Sequence, residues 1–292
     1  MLQFGNMPHL RYYRNPLLFP HRLTTRDINI LQKTDHYTHL NSAQIATLFG
    51  ISRQAINKRL KLLFHNHYLG KLPAQLSPRM FNSSDVYFVD LDAKVRAKLV
   101  KKGIILPHRR RKMPKREHLQ HTLLTNDIVI AFELAARENP DIEFVPSHQL
   151  LATTDRASQR YPWKVPAFLP ERGITRSAYP DAAFAIHDKN TSKTQLYLIE
   201  ADRMTEPIAR NDKKLFNVSN IKAKLTIYHT AWQQGVFRER FGLPATRILF
   251  VTLSEKRAQN MQELADNLFD GRAAGLFIFT TIDSLNTNNL PL

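Results

Sequence analysis

The stretch from Asn41 to Leu60 reads Asn-Ser-Ala-Gln-Ile-Ala-Thr-Leu-Phe-Gly-Ile-Ser-Arg-Gln-Ala-Ile-Asn-Lys-Arg-Leu, and few backbones suit it. Asn41 or Ser42 can cap a short helix carrying Ile45, Leu48 and Phe49. Gly50 supplies the turn, and Ser52 can cap the next helix. Ala46 is small enough to let two helices approach. Ile56, Leu60 and Leu63 fall at i, i+4 and i+7 and make one buried stripe. The opposite face carries Arg53, Gln54, Asn57, Lys58 and Lys61, side chains that bond base edges and phosphates. This is the pattern of a helix-turn-helix.

The flanks extend the pattern to a winged helix. Thr24, Thr25 and Asp27 can start a helix ahead of Ile28, Ile30 and Leu31. The segments 68–72 and 86–89 read as strands joined by a loop with Pro73, Pro78 and Arg79. A last helix runs from Asp92, a good cap, to Lys102, and Gly103 stops it. The same architecture also serves dimerisation or peptide docking, so charge has to decide between those uses and DNA. Of a net charge of +17, residues 1–125 hold 22 Lys or Arg against 6 Asp or Glu, a net of +16. Such asymmetry marks a nucleic-acid-binding half, because each cation set against a phosphate releases condensed counterions. Pro107 to Arg116 adds a proline-interrupted basic run with Arg109, Arg110 and Arg111. It cannot fold by burial and reads as a linker that can also track a phosphate backbone.

The chain has no cysteine, which excludes a disulfide scaffold and a cysteine-liganded zinc site and suits a cytoplasmic protein. No apolar run approaches the roughly 18–20 residues of a membrane span. The segment 1–23 lacks the order of a signal peptide. With 292 residues there is room for two domains.

Beyond the linker, Glu117 to Arg137 is helical in pattern, followed by a strand at 142–145 and a polar, loop-like stretch at 151–178. Strands at 179–186 and 195–202 flank a turn at Asp188-Lys189-Asn190 and form a hairpin. A helix at 218–234, a strand at 247–253, a helix at 256–269 and a strand at 276–279 complete a mixed α/β sheet flanked by helices. The expected domains are a winged helix over 1–103, a basic linker over 104–116 and an α/β domain over 117–292.

The chemistry concentrates in the hairpin. Asp181 begins one strand and Glu200 ends the next, so the return path can bring the two carboxylates together. Glu200 and Asp202 alternate by two and share a strand face. A hard divalent cation, Mg²⁺ or Mn²⁺, relieves the repulsion among three such carboxylates. It can polarise a phosphoryl oxygen and acidify a bound water. Carboxylates at strand ends also serve simply as solvated groups or turn caps. The spacing resembles the Asp…Glu-x-Lys pattern of restriction-endonuclease-like nucleases, with Asp202 in place of the lysine. That resemblance directs attention to a replacement lysine on the following helix. Lys222 and Lys224 are candidates, and Lys224 is favoured because it shares a helix face with Tyr228. Tyr228 reads either as core packing or as a nucleophile, and His121 as a structural or a catalytic group.

Taken in order, Thr25-Arg26-Asp27-Ile28 with Ile30-Leu31, then His121, Pro180-Asp181 and Ile199-Glu200-Ala201-Asp202-Arg203-Met204-Thr205-Glu206 form one signature. Lys224-Leu225 with Tyr228, and Phe250-Val251-Thr252 with Arg257, continue it. The chain resembles the replication-relaxation family, which includes MobC-type plasmid relaxases. The resemblance implies a winged helix joined to a restriction-endonuclease-like domain, working at a plasmid or mobile-element origin on double-stranded DNA. Other relaxosome or replication proteins are its implied partners. It implies Asp181 and Glu200 as metal ligands, Asp202 as a third ligand or a neighbour of the ligands, and Lys224 as stabiliser of charge on the scissile phosphate. The family's Ser-Glu pair is replaced here by Ser147-His148-Gln149. The expected activity is relaxase-like, metal-dependent nicking. A non-catalytic DNA-binding regulator and a restriction or defence endonuclease remain as alternatives.

Overall fold

The computed structural model describes residues 14–15, 22–72, 85–90, 92–107, 116–152, 154–204, 207–208, 220–243 and 245–286. Arg109, Arg110 and Arg111 therefore lie outside the described residues, as do the loop between the two expected wing strands and Thr205-Glu206. The chain is a mixed α/β protein that divides into two compact units, Met1–Asn126 and Asp127–Leu292.

In the first unit local chemistry sets the boundaries. Thr24 caps α1 (Thr25–Tyr37) in a reciprocal box in which Asp27 accepts from the Thr24 N–H at 2.8 Å. A two-residue strand, β1 (Leu40–Asn41), leads into α2 (Ser42–Phe49), where Asn41 and Gln44 exchange a second such pair. Gly50 ends α2 at φ +60°, in the left-handed region that only glycine occupies cheaply. Ser52 caps α3 (Arg53–His65). Then come β2 (Leu69–Lys71), β3 (Val86–Val89) and α4 (Ala93–Lys101), whose first amides are held by the Asp92 carboxylate. The sheet order is β1-β3-β2, antiparallel throughout. The core holds Ile30, Leu31, Leu40, Ile45, Ile56 and Leu60, all fully buried. Strand β1 has no counterpart in the sequence reading, because two residues carry no alternation to read.

The helix expected to open the second domain at Glu117 is α5 (Arg116–Glu138), and the division between units falls inside it. Its first half belongs to the first unit. Leu119 and Leu123 cover Leu72 and Val86. Gln44 donates to the Leu123 carbonyl at 2.8 Å, and Asn126 donates to the carbonyls of Tyr37 and His39. The start of α5 thus buries apolar surface of the small three-stranded sheet.

The second unit continues with β4 (Ile142–Pro146), α6 (Ser147–Leu151), β5 (Val165–Leu169), β6 (Ile174–Ala178), β7 (Ala182–Asp188) and β8 (Lys193–Ala201). It closes with α7 (Ile221–Gln233), α8 (Val236–Phe241), β9 (Thr246–Thr252), α9 (Glu255–Phe269), β10 (Phe277–Thr281) and α10 (Ile282–Asn286). Five strands lie in the order β10-β9-β8-β7-β4. Strands β4, β7 and β8 pair antiparallel, whereas β8, β9 and β10 pair parallel. The stretch 151–178, expected as loop, contains the separate β5–β6 hairpin. Val165, Ala167 and Leu169 turn inward there, but an interposed proline and a small alanine hide the alternation. No helix among the described residues is long and apolar enough to cross a membrane.

Candidate functional site at the mouth of the central hairpin

Register places the acidic residues. Ala182 faces Ile199 across β7 and β8, so Asp181 and Glu200 meet where the hairpin opens. The Asp181 N–H donates to the Ile199 carbonyl at 2.8 Å, and an Asp181 carboxylate oxygen accepts from the Ala201 N–H at 2.9 Å. One backbone bond and one backbone-to-carboxylate bond thus tie Asp181 to the residues on either side of Glu200.

Glu200 is buried, at 2% exposure, so its carboxyl needs partners. Helix α7 supplies them. Its N-terminus is fixed by Asn220, itself fully buried, whose side chain accepts from the Ala223 N–H at 2.8 Å. Lys224 and Tyr228 follow four apart on one face. The Lys224 Nζ lies 2.8 Å from one Glu200 oxygen, and the Tyr228 hydroxyl donates to the other at 2.5 Å. Burial pushes the Glu200 carboxyl up to about 7, with the Asp181 charge adding to the push and Lys224 opposing it. Burial, and then the negative Glu200, raise the Tyr228 phenol well above its ordinary value. Tyr228 is fully buried, with its ring edge-on to Phe250. Its hydroxyl is therefore a hydrogen-bond donor to the carboxyl.

Asp202 goes elsewhere. It sits just past the end of β8, pinned by its N–H to the Val251 carbonyl at 2.8 Å. One carboxylate oxygen accepts from the Thr252 hydroxyl at 2.9 Å and from the Arg257 Nε, while the other accepts from an Arg257 Nη at 2.9 Å. This is the planar two-pronged pairing that a guanidinium makes best. Glu200 and Asp202 share a strand parity, yet one answers to α7 and the other to the first turn of α9. The geometry brings together Asp181, Glu200 and Lys224. Among the described residues no group of three or more His, Asp or Glu is placed to hold a metal ion.

Arg257 and Thr252 received no role from spacing, although both stand in the stretch Phe250-Val251-Thr252 with Arg257 that carries part of the family resemblance. Lys222 is half-buried, and its N–H bonds the Ile208 carbonyl. Ser147 accepts from the Trp163 indole N–H at 2.8 Å, and Ser147-His148-Gln149 forms the start of α6. His121 lies in the other unit, half-buried on α5.

In the first unit Arg53, Gln54, Asn57, Lys58 and Lys61 are all exposed, while Ile56, Leu60, Leu63 and Phe64 face the core. Arg59 belongs to neither set. Its guanidinium grips the fully buried Asp27, at 2.5 and 3.0 Å, and locks α3 to the start of α1.

A family model described as replication-relaxation matches residues 31–243, well over half the chain. The chain belongs to the replication-relaxation family. No curated protein and no solved structure matches it. Membership suggests a role in plasmid replication or mobilisation, and hence work on DNA. The replication-relaxation match covers α3, Asp181, Glu200, Lys224 and Tyr228, and it stops before Thr252 and Arg257, the partners of Asp202.

Proposed function

We propose that this replication-relaxation protein binds double-stranded DNA at a plasmid or mobile-element origin and nicks one strand with the help of Mg²⁺ or Mn²⁺. The observation that carries the reading is the Asp181–Glu200–Lys224 arrangement at the hairpin mouth. It resembles the nuclease pattern with its lysine moved to the following helix, inside a mixed sheet flanked by helices. The first unit fits the reading as a winged helix: the exposed polar face of α3 would meet the major groove, and the basic run 107–116, with Arg109, Arg110 and Arg111, would follow the backbone.

The residues present fit a hard cation. Mg²⁺ is commonly held by one or two carboxylates with water completing its shell, and Asp181 and Glu200 supply two. Each carboxylate oxygen has more than one acceptor site, so Glu200 can keep Tyr228 while contributing to a metal. Asp202, committed to Arg257, would shape the site from behind. When bound, the ion would supply polarisation of a phosphoryl oxygen and a more acidic water. The chain's own part is to hold Glu200 at a near-neutral poise, to aim it through Tyr228, and to present the Lys224 ammonium to charge growing on the phosphate.

A second reading has its own support. Both oxygens of Glu200 are occupied by Lys224 and Tyr228, which is how a purely structural buried carboxylate is satisfied. On that reading the protein binds the origin without cutting it. Supercoiled plasmid bearing the element's own origin, incubated with Mg²⁺, Mn²⁺ or EDTA, separates the two. Metal-dependent open circles from the wild type and none from Glu200→Ala support nicking. Intact supercoils, retarded equally by both proteins, support binding alone. Linear product made without regard to the origin would mark a restriction or defence nuclease instead.

A further inference from the structure

Two tyrosines stand beside the hairpin mouth with no role in the site itself. Tyr161 is 48% exposed and Tyr179 is 49% exposed, although large aromatic rings usually gain most from burial. They are not scattered. Their ring centroids lie 5.0 Å apart at 67°, and the Arg160 guanidinium lies 5.1 Å from the Tyr161 ring centre. The neighbouring segment is braced: the Arg156 guanidinium lies over both Trp163 and Phe241, 5.2 and 5.0 Å from their ring centres, and those two rings are 5.4 Å apart. Tyr179 is followed directly by Pro180 and Asp181, so its backbone is within about 7 Å of Asp181 along the chain.

We propose that Tyr161 and Tyr179, with Arg160, form a stacking platform for unpaired DNA bases, delivering a single strand to the Asp181–Glu200 site. The proposal rests on the nicking reading above and names the form of its substrate. Half-exposed rings leave aromatic surface on which a base can stack, and only unpaired bases offer faces in return; a duplex presents edges and phosphates. Charge favours nucleic acid over a protein partner. Residues 155–179 carry five Lys or Arg against two Asp or Glu, whereas residues 126–292 as a whole balance 20 against 19. An aromatic pair flanked by arginine is the recurring means of holding a strand without reading its sequence. A strand nicked at an origin has to leave its complement near the cut, and a platform two residues from Asp181 would hold it there.

The test uses the full chain in EDTA and fluorescence anisotropy with two labelled probes, an oligothymidylate of about 12 nucleotides and an origin duplex. The Tyr161→Ala/Tyr179→Ala protein is expected to lose about tenfold or more in affinity for the single strand and to keep its duplex affinity. The Tyr161→Phe/Tyr179→Phe protein is expected to bind both as wild type, since stacking needs the ring and not the hydroxyl. Single-strand affinity unchanged by the alanine pair overturns the proposal. So does a parallel loss on both probes, or a wild type that ignores the single strand. Nicking is scored separately, with Glu200→Ala on plasmid, so a platform without cleavage and cleavage without a platform give different results.

Discussion

At the scale of single residues, Glu200 near the end of β8 and Asp202 just past it make opposite demands. Glu200 is held near neutrality by burial. An unfolded glutamate releases its proton near 4.5, whereas folded Glu200 keeps its proton to about 7. Between those values folding takes up a proton, so the contribution of Glu200 is fully favourable below about 4.5 and is lost as pH rises towards 7. Urea melts from pH 4.5 to 8 should show the wild type losing up to a few kcal/mol over this window relative to Glu200→Gln; parallel curves for the two proteins would refute the assignment. Asp202 is gripped instead by the two-pronged Arg257 guanidinium. Removing Arg257 leaves that carboxylate buried with only Thr252, and Arg257→Ala should cost about 3–5 kcal/mol. A loss below about 1 kcal/mol in the same melts would mean that the pair is a surface-like contact.

At the scale of elements, what could be read from the sequence was whatever is written locally. The caps Thr24, Asn41, Ser52 and Asp92 and the turn at Gly50 sit within four residues of what they bond. The β7–β8 hairpin was legible because its strands adjoin in sequence. The β5–β6 hairpin was not, since its inward positions are interrupted by Pro166. The pairing of Asp202 with Arg257 was hidden for another reason: 55 positions separate them, and only the parallel docking of β9 on β8 brings them together. Lys224 was accessible through its i, i+4 relation to Tyr228, although spacing could not show that both would meet the same carboxyl. The β2–β3 pair offers a local test. A Cβ on Gly70 would lie 2.3 Å from the Phe88 ring. Gly70→Ala should therefore force that ring aside and cost about 1–3 kcal/mol, read as a lowered melting temperature with the helical signal of the folded state retained. An unchanged melting temperature would show that the ring yields freely.

For the whole molecule, positive charge and the candidate site are divided between halves. Nearly all of the net positive charge lies in residues 1–125, while Asp181, Glu200 and Lys224 lie in the second unit. Duplex affinity should accordingly fall steeply with salt. Taking one cation away from a phosphate, by Arg53→Ala, Lys58→Ala or Lys61→Ala, should flatten the log–log slope by about 0.9. Glu200→Ala should leave that slope alone. A slope insensitive to all three α3 changes would move the binding face off this helix. The position of β8 also bears on how the protein is made. Its antiparallel neighbour returns after a four-residue turn, Lys189–Ser192, whereas its parallel neighbour pairs Leu196 with Thr246, fifty positions on. Loop closure costs about 0.6 kcal/mol more for each doubling of length, so the hairpin is free to form early and the β8–β9 ladder late. Arg257 can reach Asp202 only once that ladder has formed. If the pair closes after the folding barrier, Arg257→Ala should leave the refolding rate nearly unchanged and hasten unfolding, so that this one cation sets how long a native molecule lasts; a slowed refolding rate would place the contact before the barrier.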